Sequence, residues 1–194
     1  MAKTGQSGLE SIVTALPREN GRLPPVDRWD PPFCGDIDMK IESDGTWLYQ
    51  KTPIGRPALV KLFSGILKRE GDKYYLVTPV EKVGLIVADA PFLAVELKVE
   101  RADDQVLVFR TNVDDWVEAG PHHALKFVSE PGTGGLKPYL HVRRDLWAKV
   151  TRALFYDLVA LGEEREAGGK QMFGVASKGE FFAMAEASAL KEFA

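Results

Sequence analysis

Three kinds of residue in this chain could carry chemistry: paired carboxylates, neighbouring histidines, and arginines beside apolar runs. Asp36 and Asp38 stand two apart in an alternating run, so a strand would place both on one face. Asp114 and Asp115 lie in "TNVDDW", beside a turn. Carboxylate pairs do acid–base work only where their surroundings separate their pKa values, and otherwise form a solvated strand face or cap a turn. His122 and His123 are adjacent, and adjacent residues on a strand point to opposite faces, so they do not readily share an ion. With no Cys-x-x-Cys and no His-Glu-x-x-His, neither a metal nor a cofactor is expected. Cys34 in "PPFCGD" has no nearby histidine and reads as a small buried residue. Ser64 falls within a helical run without a nucleophile elbow, and "PGTGG" lacks the Lys-Ser/Thr ending of a P-loop. No catalytic residue is assigned.

Polar residues at strand ends are better candidates for binding. "VTPVEKV" places Thr78 and Glu81 around a Pro79 turn, and "FRTNVDDW" places Arg110, Thr111, Asn112 and Asp114 where a strand runs out. "YLHVRRDLW" places Arg143 in a strand with Tyr139 and His141. Arginine suits planar, bidentate capture of a carboxylate or phosphate. Arg56 in "TPIGRPALVKLF" has another explanation: Gly55 offers a turn, Pro57 suits a first helical position, and the arginine opens the helix. Arg152 opens a second helix in the same way. A cation at that end opposes the helix dipole, which predicts a carboxylate partner for each.

The elements that must position these residues follow from hydrophobic period. Ser7 to Ala15 reads as a short helix with Leu9, Ile12, Val13 and Leu16 on one side. "RLPPVDRWDPPF" reads as an extended arm anchored by Trp29 and Phe33, since proline fixes φ and removes a donor. Ile37, Met39 and Ile41 alternate with charged residues, and Asp44-Gly45 supplies a hairpin turn before "TWLYQ". Leu59, Leu62, Phe63, Ile66 and Leu67 predict a helix from Pro57 to Glu70. "KYYLVTP", "KVGLIVA", "FLAVELKVE" and "QVLVFRT" read as strands whose short connections favour antiparallel pairing. "ALKFVSE" and "KPYLHVR" form a further hairpin. A second helix runs from Thr151 to Glu166 and is broken by "AGGK"; "QMFGVAS" is a strand, and "EFFAMAEASALKEF" a strand running into a helix.

Composition excludes whole classes of function. Apolar residues at 45% and charged residues at 27% are globular values, which rules out a mainly disordered chain. The longest apolar runs are interrupted by Asp89 and Pro91, so none spans a bilayer. A net charge of −3 gives no basic footprint, and no nucleic acid is expected as partner. The first residues lack a signal peptide's shape, and a single cysteine forbids an internal disulfide, so the expected location is cytoplasmic.

Laid side by side at an offset of 96 residues, Arg56–Phe63 and Arg152–Val159 match in their opening arginine and in most apolar positions. The order hairpin, helix, strand, strand thus occurs twice. This predicts an internally duplicated α+β protein with antiparallel sheets: an arm over 1–25, a first repeat over 26–90 and a second over 91–194. A cleft between two similar halves would be the natural place for a ligand.

"FCGDIDMKIESDGTWLYQKTPIGRPALVKLFSGIL", "YYLVTPVEKVGLIVADAPFLAVEL", "LVFRTNVDD" and "KPYLHVRRDLWAKVTRALFYDLVALGE" together resemble the bacterial family called Domain of Unknown Function 1285, from about Pro24 to Glu163. The resemblance implies an internal duplication, a second half loosely similar to pleckstrin-homology folds, a site where the halves meet and a role in signal transduction. It brings no catalytic residues. Its motif positions fall on Thr78, Pro79, Glu81, Arg110 to Asn112, Asp114 and Arg143, and where the family often has glycine after Arg143 this chain has Arg144. The leading reading is a non-enzymatic binding module for a small anionic ligand or protein segment, with Arg110, Asn112 and Arg143 as donors. The alternatives are a hydrolase-type or other enzyme using Asp36, Asp38 or Asp114 as general acid or base, and a structural protein acting through a homodimer surface.

Overall fold

The alternation of Ile37, Met39 and Ile41 with Asp38 and Lys40 becomes strand β1 (Phe33–Ile41), in which Met39 and Ile41 are buried. The computed structural model describes residues 8–15, 23–101, 104–132 and 134–191. The expected turn follows β1: Gly45 takes φ +83°, and Asp44 Oδ1 accepts the Thr46 N–H at 2.9 Å. It returns the chain into β2 (Trp47–Tyr49) and β3 (Thr52–Pro53), with its proline on a sheet edge, where no ladder donor is missed.

Helix α2 (Pro57–Gly65) starts as the sequence predicts, with Pro57 in the first turn and Arg56 extended before it. It ends five residues sooner than predicted. Ile66 accepts the Val77 N–H at 3.0 Å, and Leu67–Glu70 is strand β4, turned by Gly71 (φ +60°) into β5 (Lys73–Val77). Ile66 and Leu67 satisfy a helical and an alternating period equally, and their pairing with Val77 and Leu76 decides between them. Thr78 and Glu81 close the turn to β6 (Lys82–Val87). The sheet order is β3-β2-β1-β6-β5-β4, with β1 and β6 parallel and every other pair antiparallel.

One face of this sheet is apolar. Met39, Ile41, Leu67, Leu76 and Val83 are buried, as are Phe63 of α2 and Ile66 just after it, and the Trp47 and Phe63 rings stack with centroids 6.5 Å apart. Each such side chain contributes about 1.5–3 kcal/mol of burial. Helix α1 (Gly8–Ala15) buries Ile12 completely and Leu9 partly, while Val13 is exposed; Leu16 lies outside the described residues. The proline-rich arm is corrected in two ways. Residues Val26–Arg28 make a 3-10 turn, and the buried anchors are Val26 and Pro31, not Trp29 and Phe33. The Val26 N–H bonds to the Pro24 carbonyl, which tucks Val26 inward. Phe33 stands outward and meets Tyr75 edge-on. Cys34 is exposed, not buried, because it lies at the polar end of β1 ahead of the apolar positions.

The opposite face of the same sheet is charged. Glu70 receives the ammonium groups of Lys82 at 3.0 Å and Lys68 at 3.1 Å. These bonds, Lys82's first, hold its carboxyl below the ordinary glutamate value. A depressed folded-state pKa means stabilisation that is present above the unfolded value and lost as pH falls through the folded one. Glu70→Gln is therefore expected to lower stability slightly at neutral pH, by well under 1 kcal/mol for so exposed a group, and to match the unchanged protein in acid. Urea midpoints from pH 7 down to pH 2 check this; a pH-independent difference would refute it.

The second unit begins at Ala90, after Asp89. Its strands are β7 (Phe92–Arg101), β8 (Gln105–Thr111), β9 (Trp116–Glu118), β10 (Leu125–Ser129), β11 (Leu136–Arg143) and β12 (Leu146–Val150). Their order is β10-β11-β12-β7-β8-β9, with β7 and β12 parallel. This is the topology of the first sheet: two antiparallel three-stranded meanders joined by a parallel pair. The protein is thus mostly β, with few and short helices and two similar six-stranded sheets.

The halves are similar in a different register from the one the helices suggested. Helix α2 lies between the two meanders of its sheet, whereas α3 (Arg152–Ala160) comes after the second sheet is complete. The helix from Thr151 was expected to reach Glu166, but Glu163–Ala167 is strand β13. "AGGK" is its hairpin turn, with Gly168 and Gly169 at φ +61° and +77°. Strands β14 (Lys170–Ser177) and β15 (Glu180–Glu186) complete a separate three-stranded sheet, and the chain runs into helix α4 (Ala187–Lys191).

Candidate functional site

Thr78 is fully buried and its chemistry is local. Its Oγ1 accepts the N–H groups of Val80 (3.3 Å) and Glu81 (3.1 Å), and its own N–H reaches the Glu81 carbonyl at 2.9 Å. Glu81 accepts the Ser11 hydroxyl at 3.1 Å, tying α1 to this turn. These two residues therefore build the β5–β6 turn of the first unit.

The remaining candidates gather in the second unit, around a second threonine turn. Thr111, also fully buried, accepts the N–H groups of Val113 and Asp115 and closes the loop between β8 and β9. Asn112 brackets Leu93 of β7, taking its N–H at 3.0 Å and giving its own to the Leu93 carbonyl at 2.9 Å. Arg110 gives Nε to Glu96 at 2.7 Å and Nη1 to Asp114 at 3.2 Å. Arg143, 12% exposed, bonds Asp115 and lies with its guanidinium 4.7 Å from the Phe92 ring centre. Both arginines thus spend donors on internal carboxylates and hold the loop in shape. Asp114 (φ +64°) adopts the left-handed backbone that aspartate tolerates better than most residues.

What this loop delivers is strand β9 and Trp116. Arg110 lies opposite Trp116 in register, and Lys98 Nζ sits 3.9 Å from the centre of the indole, which is 48% exposed. Strand β9 is an edge whose one ladder neighbour is β8. The Thr111 N–H bonds to Asp115 and the Ala119 N–H to Leu107, so residues 115, 117 and 119 face β8 and the backbone groups of Trp116 and Glu118 point away from it. A cleft of about 590 Å³ runs along this edge, lined by Trp116, Val117, Glu118, Pro121, His122 and His123 among others.

The histidines are loop and strand residues. His123 Nδ1 lies 3.1 Å from the His141 carbonyl, and His141 Nδ1 3.1 Å from that of His122. Among the described residues no group of three or more His, Cys, Asp or Glu could hold a metal ion. Asp36 and Asp38 are exposed on β1 of the first unit, and Asp114, in the second, is paired with Arg110. No helix of the described residues is long and apolar enough to cross a membrane.

Residues 24–90 match the family model for the N-terminal domain of DUF1285, a domain of unknown function, and residues 91–184 match that for its C-terminal domain. The chain belongs to the DUF1285 family. A DUF1285 family protein from Silicibacter pomeroyi DSS-3, solved by crystallography, is 48% identical and superposes with a TM-score of 0.85, covering 96% of this chain and all of its own. A second, from Shewanella baltica OS155, is 31% identical with a TM-score of 0.51, over 64% of this chain and 91% of its own. The search of curated proteins returned no match. After Arg143, where glycine was expected, Arg144 takes φ +52°, the left-handed backbone that glycine would adopt more readily. The turn therefore keeps the form that favours glycine. Two features of this DUF1285 chain went unread in its sequence: Trp116, whose signal was the outward Trp and Glu either side of inward Val117, and Ser177, which had none.

Proposed function

We propose that the chain is a non-enzymatic binding module whose second unit takes up an extended protein segment along the β9 edge. The observation that supports it is the open edge itself: outward backbone groups on Trp116 and Glu118, beside a cleft and an exposed indole. A partner strand would use those groups as a ladder and the cleft for alternate side chains. Trp116 would anchor the segment, as aromatic residues commonly do. Arg110, Asn112, Asp114 and Arg143 enter as the residues that shape the loop leading into β9, and Lys98 packs over the Trp116 ring beside it. Thr78 and Glu81 play the corresponding shaping role in the first unit. A β-rich scaffold suits such a role; the loose pleckstrin-homology likeness that the family resemblance implies for the second half agrees with it, and signalling is one setting for it. The neutralisation of both arginines by Glu96, Asp114 and Asp115 favours a protein segment over a small anion at this place.

The test is selection of displayed random peptides on the full chain, followed by titration of those selected. Trp116→Ala is expected to weaken them about tenfold or more, with the Trp116 and Glu118 amides gaining exchange protection in the complex. If nothing is selected, or the peptides bind the variant equally well, the reading fails.

A further inference from the structure

A second cleft, at the start of α3, has no part in that reading. It holds about 540 Å³, a size suited to a small ligand. Three cationic residues line it (Lys137, Lys149 and Arg152) against one carboxylate, Glu130, and Phe155 and Tyr156 supply aromatic surface. Glu130 engages Lys137 at 2.9 Å, so the lining keeps a net positive charge.

Arg152 is the informative residue. As the first residue of α3 it stands at the positive end of the helix dipole, where a cation is disfavoured, and a carboxylate partner was expected. Among the described residues it has none. Its Nε donates instead to the Tyr156 hydroxyl at 3.0 Å, with the guanidinium 5.7 Å from that ring's centre. The neutral hydroxyl orients the guanidinium without cancelling its charge, and leaves both terminal nitrogens for a planar, two-point contact.

We infer that this cleft binds a small ligand with a phosphate-like anionic head and a flat apolar body. Arg152 takes the head with help from Lys137 and Lys149, and Phe155 and Tyr156 take the body.

The probes are inorganic phosphate and phenyl phosphate, titrated into the full chain and followed by amide chemical shifts. Phenyl phosphate is expected to bind several-fold more tightly than phosphate and to shift the amides of Lys149, Arg152 and Tyr156. Arg152→Gln should weaken both probes about tenfold or more. Phe155→Leu should weaken phenyl phosphate alone. Trp116→Ala should alter neither, which separates this site from the β9 edge. Absence of saturable binding at millimolar concentrations, shifts that map elsewhere, or an unchanged affinity in Arg152→Gln would each overturn the inference.

Discussion

Gly174→Ala is expected to destabilise the second unit by about 3 kcal/mol or more, the upper part of the range for inserting bulk into a packed core. Gly174 is buried in β14, the central strand of its sheet, opposite Ala183 on β15 and Glu163 on β13. A Cβ there would lie 2.3 Å from the Phe182 carbonyl oxygen and 2.9 Å from the Ala183 Cα. Both are backbone atoms of a paired strand, so relief requires β15 to move, and the ladder already shifts register beside Gly174. Gly84→Ala is the control. Its Cβ would meet Asp36 Oδ1 at 2.0 Å, yet that carboxylate is exposed and can swing aside. The control should cost less than about 0.5 kcal/mol, or even stabilise by restricting the unfolded chain. Urea midpoints for the two variants decide the matter. Equal stability of Gly174→Ala and the unchanged protein would show that β15 is not held as described.

Ser177→Ala is expected to cost about 2–6 kcal/mol, since it strands two buried backbone groups at about 1–3 kcal/mol each. The Ser177 hydroxyl donates to the Ala119 carbonyl at 2.7 Å and accepts the Leu107 N–H at 2.9 Å, with the side chain fully buried. One oxygen thereby fastens the end of β14 to β8 and to the residue following β9. The Lys178 N–H bonds to the Gln105 carbonyl beside it, and Gln105 Nε2 reaches the Ala176 carbonyl at 2.8 Å. The specific readout is the Leu107 amide, whose hydrogen exchange should quicken more than that of Phe109 one turn of the ladder away. Ser177→Thr, which keeps the hydroxyl, should retain Leu107 protection even if its methyl group costs stability. Unaltered Leu107 exchange in Ser177→Ala would remove the serine from this role. Because β9 is held partly through Ala119, the same variant should also loosen the edge proposed to receive a partner strand.

These two residues show where reading from the sequence stops. Within a few residues, local chemistry is decisive and legible. The alternation over Ile37–Ile41, the Asp44-Gly45 turn, the Pro57 start of α2 and the threonine turns at Thr78 and Thr111 all depend on neighbours along the chain. So do the absence of a catalytic motif and the strings that place the chain in its family. The polar candidates of the second unit were also legible as a group, because strand ends concentrate turn-forming residues. What each does was not. Arg143 finds its carboxylate 28 residues away, and Arg110 is bound by Glu96 across a strand pair as well as by its neighbour Asp114. A cation on a sequence looks free to bind, and only the fold supplies the acid that occupies it.

The tertiary structure alone decided the cases in which one local sequence fits two elements. Leu67–Glu70 and Glu163–Ala167 could continue a helix or begin a hairpin, and the partner strands settle both as strands, since a hydrogen-bonded ladder outweighs a weak helical preference. It also decided the register of the internal similarity, because the parallel pairs β1–β6 and β7–β12 join segments far apart in the chain. Arg152 belongs to the same class: the sequence placed a cation on the positive end of a helix, and the fold gave it a hydroxyl and a cleft where a carboxylate was expected.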